Sequence, residues 1–270
     1  MSFQSVQGDE VLVRTVIGAL VVLASAGCTA TGPEWTPLFN GRDLTGWTPK
    51  IRGSAFGVDE AGTFRVEDGL ITVGYEGYDE FGSRFGHLFY EVPFSHYRLK
   101  IEYRFVGQQA TDGEQWAFKN SGVMFHARAP QSMLEDQDFP ISLEAQFLGG
   151  NGNDDRPTAN LCTPGTHVQV NGTLVEQHCI ESSSDTYHTD EWVTAELVVL
   201  GDSLITHIVN GEPVLSYARP VIGGGVVNDF DTAAKPDGTP LTGGYIALQS
   251  ESHPVQFRQV LLQRLDAGGS

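Results

Sequence analysis

Basic residues are scarce in this chain of 270 residues. It has 16 Lys and Arg against 34 Asp and Glu, which gives a formal net charge of −18 with neutral histidines. A nucleic-acid-binding surface needs clustered cations to neutralise phosphates, so this composition argues against a nucleic acid as the partner. Disorder is disfavoured as well, because 40% of the residues are hydrophobic and disordered chains combine high charge with low hydrophobicity.

The sequence also lacks an apolar run long enough to cross a bilayer, which takes about 20 residues. The run at 16–26 follows Arg14 and has the length of the apolar core of a secretory signal. Cleavage after Ala24-Ser25-Ala26 would release a soluble chain. Alternatively, Ala26-Gly27-Cys28 resembles the end of a lipobox, which would leave Cys28 lipidated.

We therefore expect residues 1–28 to be a signal peptide of the lipoprotein type, 29–35 a linker and 36–266 a single domain. The protein is then exported to the periplasm or outer surface of a bacterium. Its contact with a membrane is expected to run only through the lipid anchor.

Cysteine is rare too, with three in the chain: Cys28, Cys162 and Cys179. If Cys28 carries lipid, the other two can pair in an oxidising compartment. They flank Asn171-Gly172, a strong signal for a tight hairpin turn. In a regular hairpin Cys162 would face Glu181, so a direct disulfide needs a bulge or frayed strand ends. We expect the disulfide; two buried thiols or a metal-binding pair are the alternatives.

Several catalytic motifs are missing: a Gly-rich phosphate loop, a G-x-S-x-G elbow and an H-E-x-x-H zinc motif. Retaining β-sandwich glucanases carry acids at alternate positions of one strand. The corresponding segment here has Glu144 but Gln146 in the place of the second acid. This argues against hydrolysis by two carboxylates on one strand, and leaves open a pair formed by Glu144 and Glu251 from different strands.

Helical periodicity is nearly absent, whereas alternation of apolar and polar residues recurs. In the clearest strand, 96–106, aromatic and aliphatic residues alternate with charged ones. Asn210-Gly211 predicts a second hairpin turn, and 223–240 predicts a long loop. These features indicate an all-β fold with an antiparallel sandwich. The other predicted strands are 122–127, 141–148, 192–200, 203–209, 213–217, 244–249 and 255–265.

Polar side chains share one face of two of these strands. Glu144 and Gln146 point to the same side of their strand, and alternation sends His126 and Arg128 outward from the strand before it. If the two strands share a sheet, these four groups form a surface suited to the hydroxyls of a sugar. The alternative is an ordinary solvated sheet face.

A second polar cluster, 249–253, contains Gln249, Glu251 and His253. A carboxylate and an imidazole two residues apart can bind a divalent cation or act as acid and base, although a plain loop would look the same. The segments 116–122 and 156–160 carry amide, hydroxyl and guanidinium groups that could close over a ligand.

The chain resembles the 3-keto-disaccharide hydrolase domain family. The opening segment, TPLFNGRDLTGW at 36–47, is the most specific match, and the others follow in the family's order over almost the whole expected domain. They are 97–105, 120–125, 143–146, Trp192, 207–211, 244–249 and 254–258.

The resemblance implies a concanavalin A-like jelly-roll sandwich and, for some members, cleavage of glycosides already oxidised at C3. The ketone acidifies the C2 proton, so a base can remove it and the C1 substituent is eliminated, after which water adds back. The expected partner is a small carbohydrate, either a 3-keto-glycoside or a disaccharide.

The resemblance also assigns site residues. The catalytic candidates are Glu144, Glu251 and His253, and a divalent cation held by Glu144 and His253 would stabilise the enolate. The Ser250-Glu251-Ser252-His253 turn departs from the family pattern. The candidate substrate contacts are Asn120, His126, Arg128, Gln146 and Gln249.

Two other functional interpretations remain open, since sandwich folds of this kind also serve as lectins. A non-catalytic carbohydrate-binding lipoprotein would have the same polar face but would not need a base with a shifted pKa. A structural envelope protein would have no pocket.

Overall fold

Strands make up nearly all regular structure in the computed structural model, which describes residues 1–4, 34–188 and 190–266. The described strands are β1 (Thr36–Pro37), β2 (Trp47–Ile51), β3 (Phe64–Glu67), β4 (Leu70–Val73), β5 (Gly86–Tyr90), β6 (His96–Phe105), β7 (Asn120–Ala127), β8 (Leu143–Leu148), β9 (Asn160–Cys162), β10 (Thr166–Val170), β11 (Thr173–Val175), β12 (Cys179–Ile180), β13 (Val193–Leu200), β14 (Leu204–Val209), β15 (Glu212–Ile222), β16 (Tyr245–Ser250) and β17 (Val255–Arg264). Three single-turn 3-10 helices cover Gln115–Ala117, Pro130–Ser132 and Thr232–Ala234.

These strands form two antiparallel sheets. The larger has the order β11-β10-β15-β14-β13-β6-β17-β4-β3, with β1 paired to β17. The smaller has the order β12-β9-β8-β7-β16-β5-β2. Inward side chains of both sheets belong to one apolar cluster, so the prediction of an all-β antiparallel sandwich is confirmed.

The core follows from the alternation along β6. Tyr97, Leu99, Ile101, Tyr103 and Phe105 are each at most 4% exposed, while the residues between them are partly exposed. Across the sandwich, the ring of Tyr103 stacks on that of Phe147 with centroids 4.1 Å apart. The apolar rows of β6 and β8 thus hold the two sheets together, and β8 must present Glu144 and Gln146 on its opposite face.

Both predicted hairpin turns are present. Asn171 and Gly172 have φ of 50° and 77°, and Asn210 and Gly211 have φ of 48° and 93°. Positive φ at both central residues is the requirement of a type I′ turn, which explains the Asn-Gly pairs.

The predicted disulfide between Cys162 and Cys179 is also present. The cysteines face each other directly in the β9–β12 pair, whereas in the hairpin beyond it Val168 faces Val175. The register therefore shifts between the two pairs, as a direct cross-strand bond requires. Because β9 and β12 belong to the smaller sheet and β10 and β11 to the larger, the shift occurs where the chain crosses between the sheets.

The predicted loop at 223–240 contains only the Thr232–Ala234 turn. Val227 and Ala234 anchor it to a small apolar cluster with Ile141 and Ile222.

Of the predicted signal peptide and linker, only 1–4 and 34–35 are described, so Cys28 lies outside the described residues and its lipidation stays a prediction. Within the described ranges, no helix is long and apolar enough to cross a membrane.

Candidate active site

A cavity of about 360 Å³ lies over the outward face of the smaller sheet. Its floor carries polar side chains of β7 and β8 and of the turn after β16: Asn120, Glu144, Gln146 and Glu251. Trp116 and Arg156 contribute to its walls from the two segments that we expected to close over a ligand. A concave pocket with a few convergent polar groups is typical of a small-molecule site.

Gly122 leaves a gap on β7 into which the Glu144 carboxyl group and the Gln249 amide reach. It lies opposite Gln146 in the β7–β8 pair. A Cβ added at Gly122 would approach Glu144 Oε1 to 2.7 Å, the Ala145 carbonyl oxygen to 3.0 Å and Gln249 Oε1 to 3.1 Å. The absence of a side chain on β7 therefore lets groups from β8 and β16 approach each other across it.

We expect Gly122→Ala to displace Glu144. If the carboxyl group of Glu144 takes part in a reaction at this site, the kcat/KM of that reaction should fall by about 10²-fold, as it does when a reacting group is misplaced by about 1 Å. Overpacking against the Ala145 carbonyl should also lower stability by about 1–3 kcal/mol. Enzyme kinetics and thermal melting measure the two effects. Gly225→Ala is the matched control, because an added Cβ there has no atom within 4 Å. Full activity in Gly122→Ala would show that the gap is not needed.

Glu144 and Glu251 are buried, at 5% and 3% exposure. Burial raises the pKa of Glu144 to about 8, and the Gln249 amide partly opposes this shift. Burial and the neighbouring charge of Glu144 raise the pKa of Glu251 well above its ordinary value. Two buried carboxyl groups that perturb each other resist simultaneous ionisation, so at neutral pH the pair retains at least one proton.

Amide side chains surround the two carboxyl groups. Gln249 is fully buried and donates from Nε2 to Glu251 Oε1 at 3.0 Å, so it reaches the cavity through Glu251. Gln146 accepts from Asn160 Nδ2 at 3.1 Å. Among the described residues of this site, Asn120, Glu144, Gln249 and Glu251 each have one buried side-chain oxygen without a hydrogen-bond partner: Asn120 Oδ1, Glu144 Oε1, Gln249 Oε1 and Glu251 Oε2.

His126 does not reach the cavity, contrary to our expectation from strict alternation. Tyr245 pairs with Ala127 and Ala247 pairs with Met124, so an advance of two residues along β16 corresponds to three residues along β7. This extra residue is a β-bulge in β7. His126 has φ of 49° there, and its Nε2 lies 3.0 Å from the carbonyl oxygen of Gly201 in the turn between β13 and β14. The bulge turns the imidazole away from the cavity, where it is fully buried and links β7 to the turn between β13 and β14.

Arg128 and His253 also lie outside the cavity lining. Arg128 is exposed beyond the end of β7. His253 is 1% exposed and packs between the rings of Phe105 and Phe118, with centroids 5.7 and 5.0 Å away. Burial, together with the charges of Lys119 and Arg156, lowers its pKa to about 4. A neutral imidazole packed in this place supports the turn that carries Glu251.

Several residues of the site and its surroundings were not predicted. The disulfide lines the cavity together with His178 and Phe139. His87 on β5 is fully buried beside Gln249 and Lys50, and burial lowers its pKa to about 3. β2 and β5 were not predicted as strands, so no sequence signal connected Lys50 or His87 with this face.

The described residues contain one group of three or more His, Cys, Asp or Glu whose ligand atoms lie within 4.8 Å of one another. It consists of Cys162, His178 and Cys179. Both thiols are consumed by the disulfide, and a metal binds the thiolate, so the alternative of a metal-binding cysteine pair is wrong. Glu144 and His253 do not belong to such a group.

Comparison with known families matches residues 34–263 to the model of the 3-keto-alpha-glucoside-1,2-lyase-like domain. The chain belongs to this family. The resemblance found in the sequence is thereby confirmed, and the match includes every residue of the cavity floor. No protein with curated annotation matches the chain.

Among solved structures, the family member resembles two candidate glycosyl hydrolases from Parabacteroides distasonis ATCC 8503. One is 20% identical, with 86% of this chain and 94% of that chain covered and a TM-score of 0.51. The other is 17% identical, with 86% and 100% covered and a TM-score of 0.51. A galectin-like protein of unknown function from Bacillus subtilis is 12% identical, with 86% and 94% covered and a TM-score of 0.52. These likenesses confirm the jelly-roll type of the sandwich.

Proposed function

We propose that this protein cleaves the glycosidic bond of 3-keto-glycosides, with Glu144 and Glu251 as the reacting groups. The observation that carries the proposal is the pair of buried carboxyl groups with raised pKa values beside a sugar-sized cavity. Titratable groups that perturb each other in a cleft are typical of acid–base sites. Membership of the 3-keto-alpha-glucoside-1,2-lyase-like family supports the substrate class.

The first step is removal of the C2 proton by ionised Glu144. The C3 ketone makes this proton acidic, and the electron pair of the C–H bond moves into an enolate. A base is most effective when its pKa lies near the working pH. Burial brings Glu144 into that range, at about 8.

The second step is expulsion of the group at C1. The enolate electrons form the C1–C2 double bond, the C1–O bond breaks, and the protonated Glu251 gives its proton to the leaving oxygen. Water then adds across the double bond to restore the 3-keto sugar. Gln249 holds Glu251 through its 3.0 Å hydrogen bond, so the acid is oriented before the substrate enters.

The amides of Asn120 and Gln146 bind the sugar ring in this proposal. Both line the cavity, and an amide can donate to one hydroxyl and accept from another. Their polar atoms are fixed by the sheet, so little reorganisation accompanies the development of charge on the enolate.

A divalent cation remains part of the proposal, with a changed ligand set. The unpartnered amide oxygens of Asn120 and Gln249 are hard donors of the kind that Mg²⁺, Ca²⁺ or Mn²⁺ prefer, and a cation held by them would leave the two carboxyl groups free for proton transfer. His253 packs between two phenyl rings instead. A bound cation would supply Lewis-acid polarisation of the ketone.

The proposal is tested by release of a chromogenic leaving group from a 3-keto-glucoside, with the unoxidised glucoside run beside it. We expect turnover of the keto substrate alone, because only the ketone acidifies C2. Loss of turnover in EDTA and recovery with an added divalent cation would establish the metal, whereas turnover that survives EDTA would remove it. If neither glycoside reacts but both bind saturably, the protein is a carbohydrate-binding module and the proposal is wrong.

A further inference from the structure

A second, more open cleft of about 640 Å³ adjoins the cavity. The two share Trp116 and Arg156 as lining residues, so a ligand in one can extend into the other. The remaining lining of the outer cleft consists of four amide side chains and one phenyl ring: Gln109, Gln115, Asn151, Asn153 and Phe118.

The indole of Trp116 has the form of a platform for a sugar ring. It is 51% exposed, although large aromatic side chains are usually covered. One face stacks on the ring of Phe85, with centroids 5.9 Å apart and planes inclined by 29°. The support from Phe85 fixes the indole, and the open part of its surface can pack against the apolar C–H face of a pyranose.

The polar groups of the outer cleft suit a neutral, hydroxyl-rich ligand. Among the described residues, its lining contains four amide side chains and one guanidinium but no carboxylate. Gln115 and Asn153 are exposed and make no side-chain hydrogen bond to the described residues, so their amides are available. Gln109 and Asn151 are already engaged, with Ser252 at 2.9 Å and with Asp154 at 2.9 Å.

The outer cleft also lies next to the turn that carries Glu251, the proposed acid. Gln109 donates to Ser252, the residue after Glu251, and the Ala110 amide donates to the Ser252 carbonyl at 2.8 Å. The group that receives the proton from Glu251 is the leaving oxygen at C1. A substituent on that oxygen is therefore directed towards the outer cleft.

We propose that the outer cleft is a subsite for the leaving-group sugar, with Trp116 as its stacking platform and Gln115 and Asn153 as hydroxyl contacts. The assignment rests on the proposed function for its direction. It makes a 3-keto-disaccharide, or a longer 3-keto-oligosaccharide, a better substrate than a glycoside with a small alkyl leaving group.

The kinetic test compares methyl 3-keto-α-glucoside with the 3-keto derivative of an α-linked glucose disaccharide. The wild type should prefer the disaccharide in kcat/KM. Trp116→Ala should reduce this preference at least tenfold, mainly through KM, and Trp116→Phe should retain most of it because a ring remains. Asn153→Ala should reduce it by a smaller factor.

Trp192→Ala is the matched control, because Trp192 packs between Arg104 and Arg258 near the larger sheet and should not change the preference. Equal losses for both substrates in Trp116→Ala would place the indole in the inner site and overturn the assignment. So would a wild type without preference for the disaccharide.

A binding measurement separates this inference from the proposed function. Calorimetric titration of Glu144→Gln, with and without Trp116→Ala, measures affinity for the disaccharide and the methyl glycoside without turnover. A tenfold loss confined to the disaccharide supports the subsite even if the wild type shows no cleavage. No difference between the two ligands in either variant overturns the subsite even if cleavage is observed.

Discussion

Glu144→Gln is expected to lower kcat for a 3-keto-glycoside by about 10²–10⁴-fold, the usual contribution of a positioned general base. Glutamine has the same shape and can still accept hydrogen bonds, but it cannot take the C2 proton. Because the carboxyl group is buried with a raised pKa, the neutral amide should not destabilise the fold. Steady-state kinetics and thermal melting on the same preparation measure both effects.

The pH dependence of kcat/KM should change with the same substitution. In the wild type the rate should rise with pH as Glu144 ionises, with the rising limb approaching its midpoint near the pKa of about 8. Glu144→Gln should lack this limb. Substrate binding shifts the apparent value, so the presence of the limb, more than its position, decides the assignment.

Glu196 provides the matched control. It is also a buried glutamate, 6% exposed, but it lies in the larger sheet and pairs with Arg98 at 2.6 Å and Lys100 at 3.4 Å. Glu196→Gln should lower stability and leave kcat unchanged. If Glu144→Gln keeps wild-type activity while Glu196→Gln behaves as stated, Glu144 is not the base.

The strands with strict alternation could be predicted from the sequence, since β6, and β8 over most of its length, combine one apolar face with one polar face. The Asn-Gly turns were equally accessible, because few residue pairs satisfy positive φ at two successive positions. The segments before residue 91 are shorter and less regular. β2 to β5 were therefore missed, and with them the row of Lys50 and His87 beside Gln249.

The site could be predicted only in part for three physical reasons. A single bulge in β7 reverses the side on which His126 lies, and alternation cannot reveal a bulge. The contact between the Glu144 and Glu251 regions depends on Gly122, whose role appears only when β7 is known to lie between β8 and β16. The two segments carrying Trp116 and Arg156 converge because of how long loops fold back, which no local pattern encodes.

The second large effect concerns stability. Unfolded glutamate has a pKa near 4.5, and Glu144 in the folded protein has one of about 8. Between these values the folded state binds more protons, so raising the pH destabilises it. Buried His87, His207 and His253 have lowered pKa values of about 3, 4 and 4. They act in the opposite sense, but only below about pH 6.5, where unfolded histidine is protonated.

Above pH 6.5, the pair of Glu144 and Glu251 is therefore the main reason that the free energy of unfolding depends on pH. At about 1.4 kcal/mol per pKa unit, raising the pH from 6.5 to 8 should cost about 2 kcal/mol. For a domain of this size that corresponds to a fall in Tm of about 4–8 °C. Differential scanning calorimetry across this range measures it directly.

Glu144→Gln with Glu251→Gln should abolish most of this fall, because neither amide titrates and the two buried groups no longer compete for a proton. Glu212→Gln, at an exposed position of β15, removes one negative charge without touching the pair and should melt like the wild type at every pH. The chain is strongly acidic, so general charge repulsion would affect Glu212→Gln and the double variant to a similar degree. If Tm falls equally in the wild type and in the double variant, the pH dependence of stability comes from overall charge. The two carboxyl groups would then not share a proton, and the acid and base assignments that depend on this pair would be wrong.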